Sequence, residues 1–140
     1  MQVKRWAMVA AIGTVLVLTG CKTDKVAAVH HPAKLEESGT EGIMKVILEE
    51  KAVERIGLQT AKVAQDGARL VVPYGAIMYD TKGDTWTFTN PAPLTNVRTK
   101  VVVETIDGDR AILSQGPAAG TTIVTVGASE LMGAEHKYGH

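Results

Sequence analysis

From residue 43 onward, short apolar runs of two distinct periods follow one another along the chain. In "TWTFT" (85–89) the threonines Thr85, Thr87 and Thr89 point one way and Trp86 and Phe88 the other. Such alternation marks a strand with one wet face and one buried face, which places Trp86 and Phe88 in the core. "IMKVILE" (43–49) alternates in the same manner. "EKAVERIG" (50–57) instead sets Val53 and Ile56 three apart and ends on Gly57, predicting a two-turn helix. "LQTAKVA" reads as the next strand and "QDGAR" as a tight turn. "RLVV" is a strand broken by Pro73, which lacks the donor a central ladder needs. "AIMYD" and "TWTFT" flank "TKGD", the strongest hairpin signal present. "NPAP" forms a loop, "VRTKVVVETI" and "RAILSQ" are strands around "DGD", and "GPAAG" leads into the strand "TTIVTVG". "ASELMGAEHKYGH" is expected to make one helical turn and then fray.

The pattern therefore predicts a mainly β domain over 43–133, a small barrel or sandwich of about seven strands with one short helix, followed by a tail over 134–140. Between Lys22 and Gly42 the chain reads "KTDKVAAVHHPAKLEESGTEG", with no sustained apolar period, and 21–42 is expected to be a disordered tether.

The first 20 residues have a different texture. Lys4 and Arg5 precede an apolar run from Trp6 to Leu18, and small residues lead to Cys21, which is the layout of a secretory signal peptide. The run is shorter than the roughly 20 residues a membrane-spanning helix needs. Leu18-Thr19-Gly20-Cys21 resembles a bacterial lipobox, which implies lipidation at Cys21 and membrane lipid as the first partner. Cys21 is the only cysteine, so a disulfide framework is excluded. Cleavage before Cys21 removes Lys4 and Arg5 from 15 basic residues and none from 15 acidic ones, leaving 13 against 15 and a formal charge of −2. No basic stripe is present, so nucleic acid is not an expected partner.

Two phrases of the mature chain have a common resemblance. "VILEEKAVERIGLQTAKV", with Glu54-Arg55-Ile56-Gly57-Leu58 and Thr60-Ala61-Lys62-Val63, resembles the opening of the membrane-proximal region in periplasmic adaptor subunits. These are the HlyD-like membrane fusion proteins of resistance-nodulation-division efflux pumps. "VVPYGAIMYDTKGDTWTFT" resembles the later return of that family to the same region. "VRTKVVVETIDGDRAILSQGPAAGTTIVTVGASEL" continues the likeness through Gly108-Asp109, Leu113, Gly116, Gly120 and Val126-Gly127. The family carries further domains between the two phrases, whereas here only "AQDGA" separates them. The resemblance thus implies a membrane-proximal domain alone, its halves joined by a turn, without the elements that dock an outer-membrane channel. A short closure also costs less loop entropy than a large insertion.

Catalytic chemistry and cofactors are not expected, because no nucleophile elbow, phosphate loop or zinc-protease motif occurs. Asp80, Asp84, Asp107 and Asp109 all fall in hairpin turns, where side-chain to backbone bonding accounts for them. The expected function is that of a lipid-anchored, non-enzymatic accessory protein that contacts an export transporter subunit. It would be exported and held in the cell envelope, on the cytoplasmic or outer membrane. One alternative is metal binding, with His30 and His31 adjacent in the tether and Met44 as a soft ligand. His136 and His140 lie in the tail. A second alternative is a structural envelope lipoprotein without a transporter partner.

Overall fold

A computed structural model describes residues 31–138 of the 140-residue chain. The elements are, in order, β1 (Ala33–Glu37), β2 (Met44–Leu48), α1 (Glu50–Ile56), β3 (Gln59–Lys62), β4 (Ala64–Asp66), β5 (Arg69–Pro73), a 3-10 turn (Tyr74–Ala76), β6 (Met78–Tyr79), β7 (Thr85–Ala92), β8 (Thr95–Asp107), β9 (Arg110–Gln115), β10 (Thr122–Val126) and α2 (Ala128–Tyr138). The fold is mainly β, as the alternating runs predict, and the sheet is nearly closed into a barrel.

The main path of the sheet is β3-β10-β7-β8-β9-β5-β4. Its two ends belong to one stretch of chain, 59–66, interrupted only at Val63. The first half of that stretch pairs with β10 and the second half with β5, so the sheet curls back onto itself. At the switch Val63 keeps its backbone bonds, donating to Thr121 O at 2.9 Å and accepting from Gly120 N at 2.8 Å. The long strand β8 makes a matching corner. It pairs with β7 as far as Val101 and with β9 from Val102, with register shifts between 102 and 105. Such bulges bend a strand and raise its twist, as closure requires.

The barrel wall separates two apolar clusters. Val63, Val72, Val101, Leu113 and Ile123 fill the inside. Val46, Leu48, Phe88, Val124, Ala128 and Leu131 lie outside, beneath the helices. Ile123 and Val124 are consecutive on β10 and both fully buried, one in each cluster.

Strand β7 shows the same two-sided burial, which corrects the expected wet face. Thr87 and Phe88 are adjacent and both have no solvent exposure. The threonine face turns toward the barrel interior, and the Phe88 face is covered by α2 and β2. Trp86 departs from expectation the other way: it is half-buried at the margin of that cover rather than in the core.

Two boundaries and the number of elements also differ from the sequence reading. Residues 33–37, expected within the tether, form β1, paired with β2 from Ala33↔Leu48 to Glu37↔Met44. The signal is only Ala33 and Leu35 alternating with charged neighbours, too short to stand out until β2 lies beside it. The tail also orders, since α2 extends to Tyr138 and buries Glu135. The described residues hold ten strands and two helices where about seven and one are expected, chiefly because β1, β4 and β6 are short.

The helix ends follow local chemistry. Gly57 sits in the left-handed region at φ 62° and closes α1 by donating to Glu54 O. Gly127, at φ 95°, turns the chain from β10 into α2, and its carbonyl accepts from Leu131 N at 3.1 Å. A Cβ at Gly127 would stand 3.2 Å from Ile56 Cδ1, so the same atom position sets how closely α1 packs on that turn. Gly127→Ala combines backbone strain with this contact and is expected to cost about 1–3 kcal/mol, lowering the melting temperature by roughly 4–8 °C per kcal/mol. Thermal unfolding of the full chain measures it, and an unchanged midpoint would contradict this packing.

Candidate interaction surface

Helices α1 and α2 lie on the same side of the barrel, over β1 and β2, and an apolar groove of about 220 Å³ runs between them. Its floor is Ala33, Leu48, Ala52, Ile56 and Ala134, while the exposed side chains of Arg55, Glu130 and Lys137 stand at its outer part. The spacing of Ala52 and Ile56, four apart on α1, puts both on the face that meets the groove. Leu131 and Glu135 have the same spacing on α2 and both point inward.

That inward Glu135 is the anchor of a polar chain beneath α2. Its carboxylate is 4% exposed and its Oε2 lies 3.0 Å from Nε of Arg98, which is 11% exposed. The contact is an ion pair whose atoms are not aligned as a hydrogen bond. The other oxygen, Oε1, accepts from Met44 N at 3.2 Å, and Arg98 Nη2 donates to Gly42 O at 3.2 Å. Glu135 and Arg98 thereby pin α2, β8 and the β1–β2 turn together.

The guanidinium of Arg98 also stacks over Trp86, 4.5 Å from the ring centroid, with Lys100 Nζ 5.6 Å from it. Trp86 Nε1 donates to Asp80 Oδ2 at 3.0 Å, and Asp80 Oδ1 accepts from the backbone of Lys82 and Asp84, each at 2.9 Å. Lys100 pairs with Asp84 at 3.0 Å. Asp80 is thus a turn residue, as its position predicts, and also holds the indole. The hydrogen bond from Trp86, followed by those from Asp84 and Lys82, lowers the Asp80 carboxyl below its ordinary value of 3.8.

The residues singled out from sequence are distributed differently. Cys21, His30 and His140 lie outside the described residues. His31 is exposed at the start of β1, and Met44 lies opposite Glu37 at the far end of the hairpin. His31 precedes β1 by two positions, and the five strand residues Ala33–Glu37 alone span about 15 Å, so His31 and Met44 lie at opposite ends of the hairpin and do not converge on one ion. Among the described residues, no three His, Cys, Asp or Glu side chains are grouped to hold a metal. His136 is tied into α2, its Nδ1 2.8 Å from Met132 O. Asp107 and Asp109 flank the exposed β8–β9 turn, where Asp109 O accepts from Tyr74 N. Sequence reasoning missed the Arg98–Glu135 pair; its one trace is a glutamate four residues after Leu131 on an apolar helix stripe.

Two outcomes follow from this network. Arg98→Ala and Glu135→Ala each leave a nearly buried charge without its partner and are expected to destabilise by about 3 kcal/mol. Because the side chains share one contact, the double variant should fall short of the sum by roughly 0.5–3 kcal/mol, as read by urea denaturation. At Asp80 the folded carboxyl has the lower pKa, so its contribution is present above the unfolded value and is lost as pH falls through the folded one. Trp86 fluorescence in a Trp6→Phe background should therefore show an acid transition below the ordinary aspartate range, absent in Asp80→Asn. Identical titrations of the two proteins would refute the contact.

No protein-family model, no curated protein and no solved structure matches this chain, which leaves its own residues and geometry as the basis for a functional reading.

Proposed function

We propose that this chain is a lipid-anchored, non-enzymatic accessory protein of an export transporter, working by protein–protein contact at the membrane. The observation that carries the reading is the passage of 59–66 from one end of the sheet to the other through Val63. The two sequence phrases that resemble the opening and the return of an adaptor membrane-proximal region meet at this stretch. They are joined there by a turn of minimal length and share one barrel. A domain that closes on itself in this way needs none of the inserted domains for its fold. What it offers outward is shape: the exposed β6–β7 and β8–β9 turns, and the helix-covered side with its apolar groove.

In this reading Cys21 carries the lipid, and binding rests on shape and apolar contacts rather than on a reacting group. The β1 edge is studded with Lys34, Glu36 and Glu37, which discourages indiscriminate strand pairing. A partner is therefore expected to engage the turns or the helix side.

Photocrosslinking from Lys82, in the β6–β7 turn, and Asp107, beside the β8–β9 turn, tests this in native membranes. Mass spectrometry of the captured material should identify a transporter subunit. Recovery of lipids and abundant envelope proteins alone would sink the proposal and leave a structural envelope lipoprotein as the better description.

A further inference from the structure

The groove between α1 and α2 is open for a reason that its own packing does not supply. Gly133 lies within α2 and lines the groove, and a Cβ at that position would meet nothing within 4 Å. Glycine inside a helix is about 1 kcal/mol less favourable than alanine. A larger residue could stand here at the groove's margin without a steric conflict at its Cβ. Three other lining residues, Ala33, Ala52 and Ala134, are also small, beside the larger Leu48 and Ile56.

The chain itself arrives at this place. Pro32 and Ala33 line the groove, and they are the residues through which the amino-terminal segment enters β1. Immediately before them, between Cys21 and Pro32, there is one apolar run, Val26-Ala27-Ala28-Val29, preceded by Lys22, Asp24 and Lys25. Only His30 and His31 separate Val29 from Pro32. A segment tethered by so few residues meets the groove at an effective concentration on the order of millimolar, well above what any separate molecule normally reaches.

We propose that Val26-Ala27-Ala28-Val29 seats in the α1–α2 groove, its valines filling the apolar space that Gly133 leaves open. The fit is one of polarity: valine and alanine side chains suit a groove lined by Ala33, Leu48, Ala52 and Ile56.

Docking changes how far the domain can stand from its anchor, a consequence that rests on the lipid-anchored reading given above. Residues 22–32 number 11, and pulled straight they reach about 37 Å. With Val26 held in the groove, only residues 22–25 remain between Cys21 and the domain, a reach of about 14 Å. The helix side would then face the bilayer at close range. A partner that displaced the segment would release the domain outward.

The test places a photoreactive diazirine analogue of leucine at Val29 in the full chain and maps the adducts by mass spectrometry. The expected adducts fall on the α1 peptide around Ala52–Ile56 and the α2 peptide around Gly133–Lys137. Gly133→Leu fills the groove from α2 while improving helix propensity, so the protein should melt no lower than the parent, yet these adducts should fall at least five-fold. Adducts scattered over the whole surface, or unchanged adducts in Gly133→Leu, would overturn the proposal. So would adducts between isotope-labelled and unlabelled copies, or to another protein, because the groove would then belong to a different occupant. Acyl mass on Cys21, measured on the same preparation, reads the anchoring separately: its absence removes the consequence for reach and leaves the docking result standing.

Discussion

Everything in this domain depends on the switch at Val63. The stretch from Gln59 to Asp66 serves both ends of the sheet, and Val63, 2% exposed, packs into the barrel interior at the point where it changes partner. The backbone bonds to Thr121 and Gly120 keep the ladder satisfied across the change. Without that continuity β3 and β4 would be the two separate edges of an open sheet, and the interior cluster of Val72, Val101, Leu113 and Ile123 would open to water. Closure and burial are thus one event, and the short turn between β4 and β5 makes it cheap in chain entropy.

Once the barrel is closed, its outer wall becomes the foundation for the helices. Phe88 and Val124 project from the wall into the cluster that receives Leu131 and Ala128 of α2 and Ala52 of α1. Apolar packing holds the helices down without choosing their register. The buried Glu135–Arg98 pair adds direction, since a charge that is 4% exposed tolerates one placement only. The buried amide of Asn96 does the same for β2, donating to Val46 O and Leu94 O while accepting from Asn90 Nδ2. Leu94 takes a left-handed backbone at φ 62°, and its carbonyl is further held by Leu48 N at 2.9 Å. Local strain at that turn is offset by the ladder it completes.

The helix-covered side therefore combines a rigid frame with an unfilled apolar groove at the point where the amino-terminal segment arrives. Elsewhere the surface carries ion pairs such as Lys100–Asp84 and Arg69–Glu104, together with exposed apolar side chains such as Tyr79, Ile106 and Val126. Those exposed pairs contribute little to stability.

Much of the β architecture was legible in the chain alone. The alternation in 43–49 and 85–89, the Gly-Asp turns and Gly57 at the end of α1 are local signals, and local backbone chemistry is enough to produce a turn or a strand wherever they occur. What local signals cannot carry is which face of a strand will be covered. Thr87 was indistinguishable from a solvent-facing threonine until the sheet curled around it, and Trp86 from a core residue until Arg98 and Asp80 took its face and edge. Residues 33–37 became a strand because β2 lay alongside, and the tail became a helix because Glu135 found Arg98, 37 positions away in the chain. Period and turn type are written in neighbouring residues; burial, pairing and charge partnership arise between residues that only folding brings together.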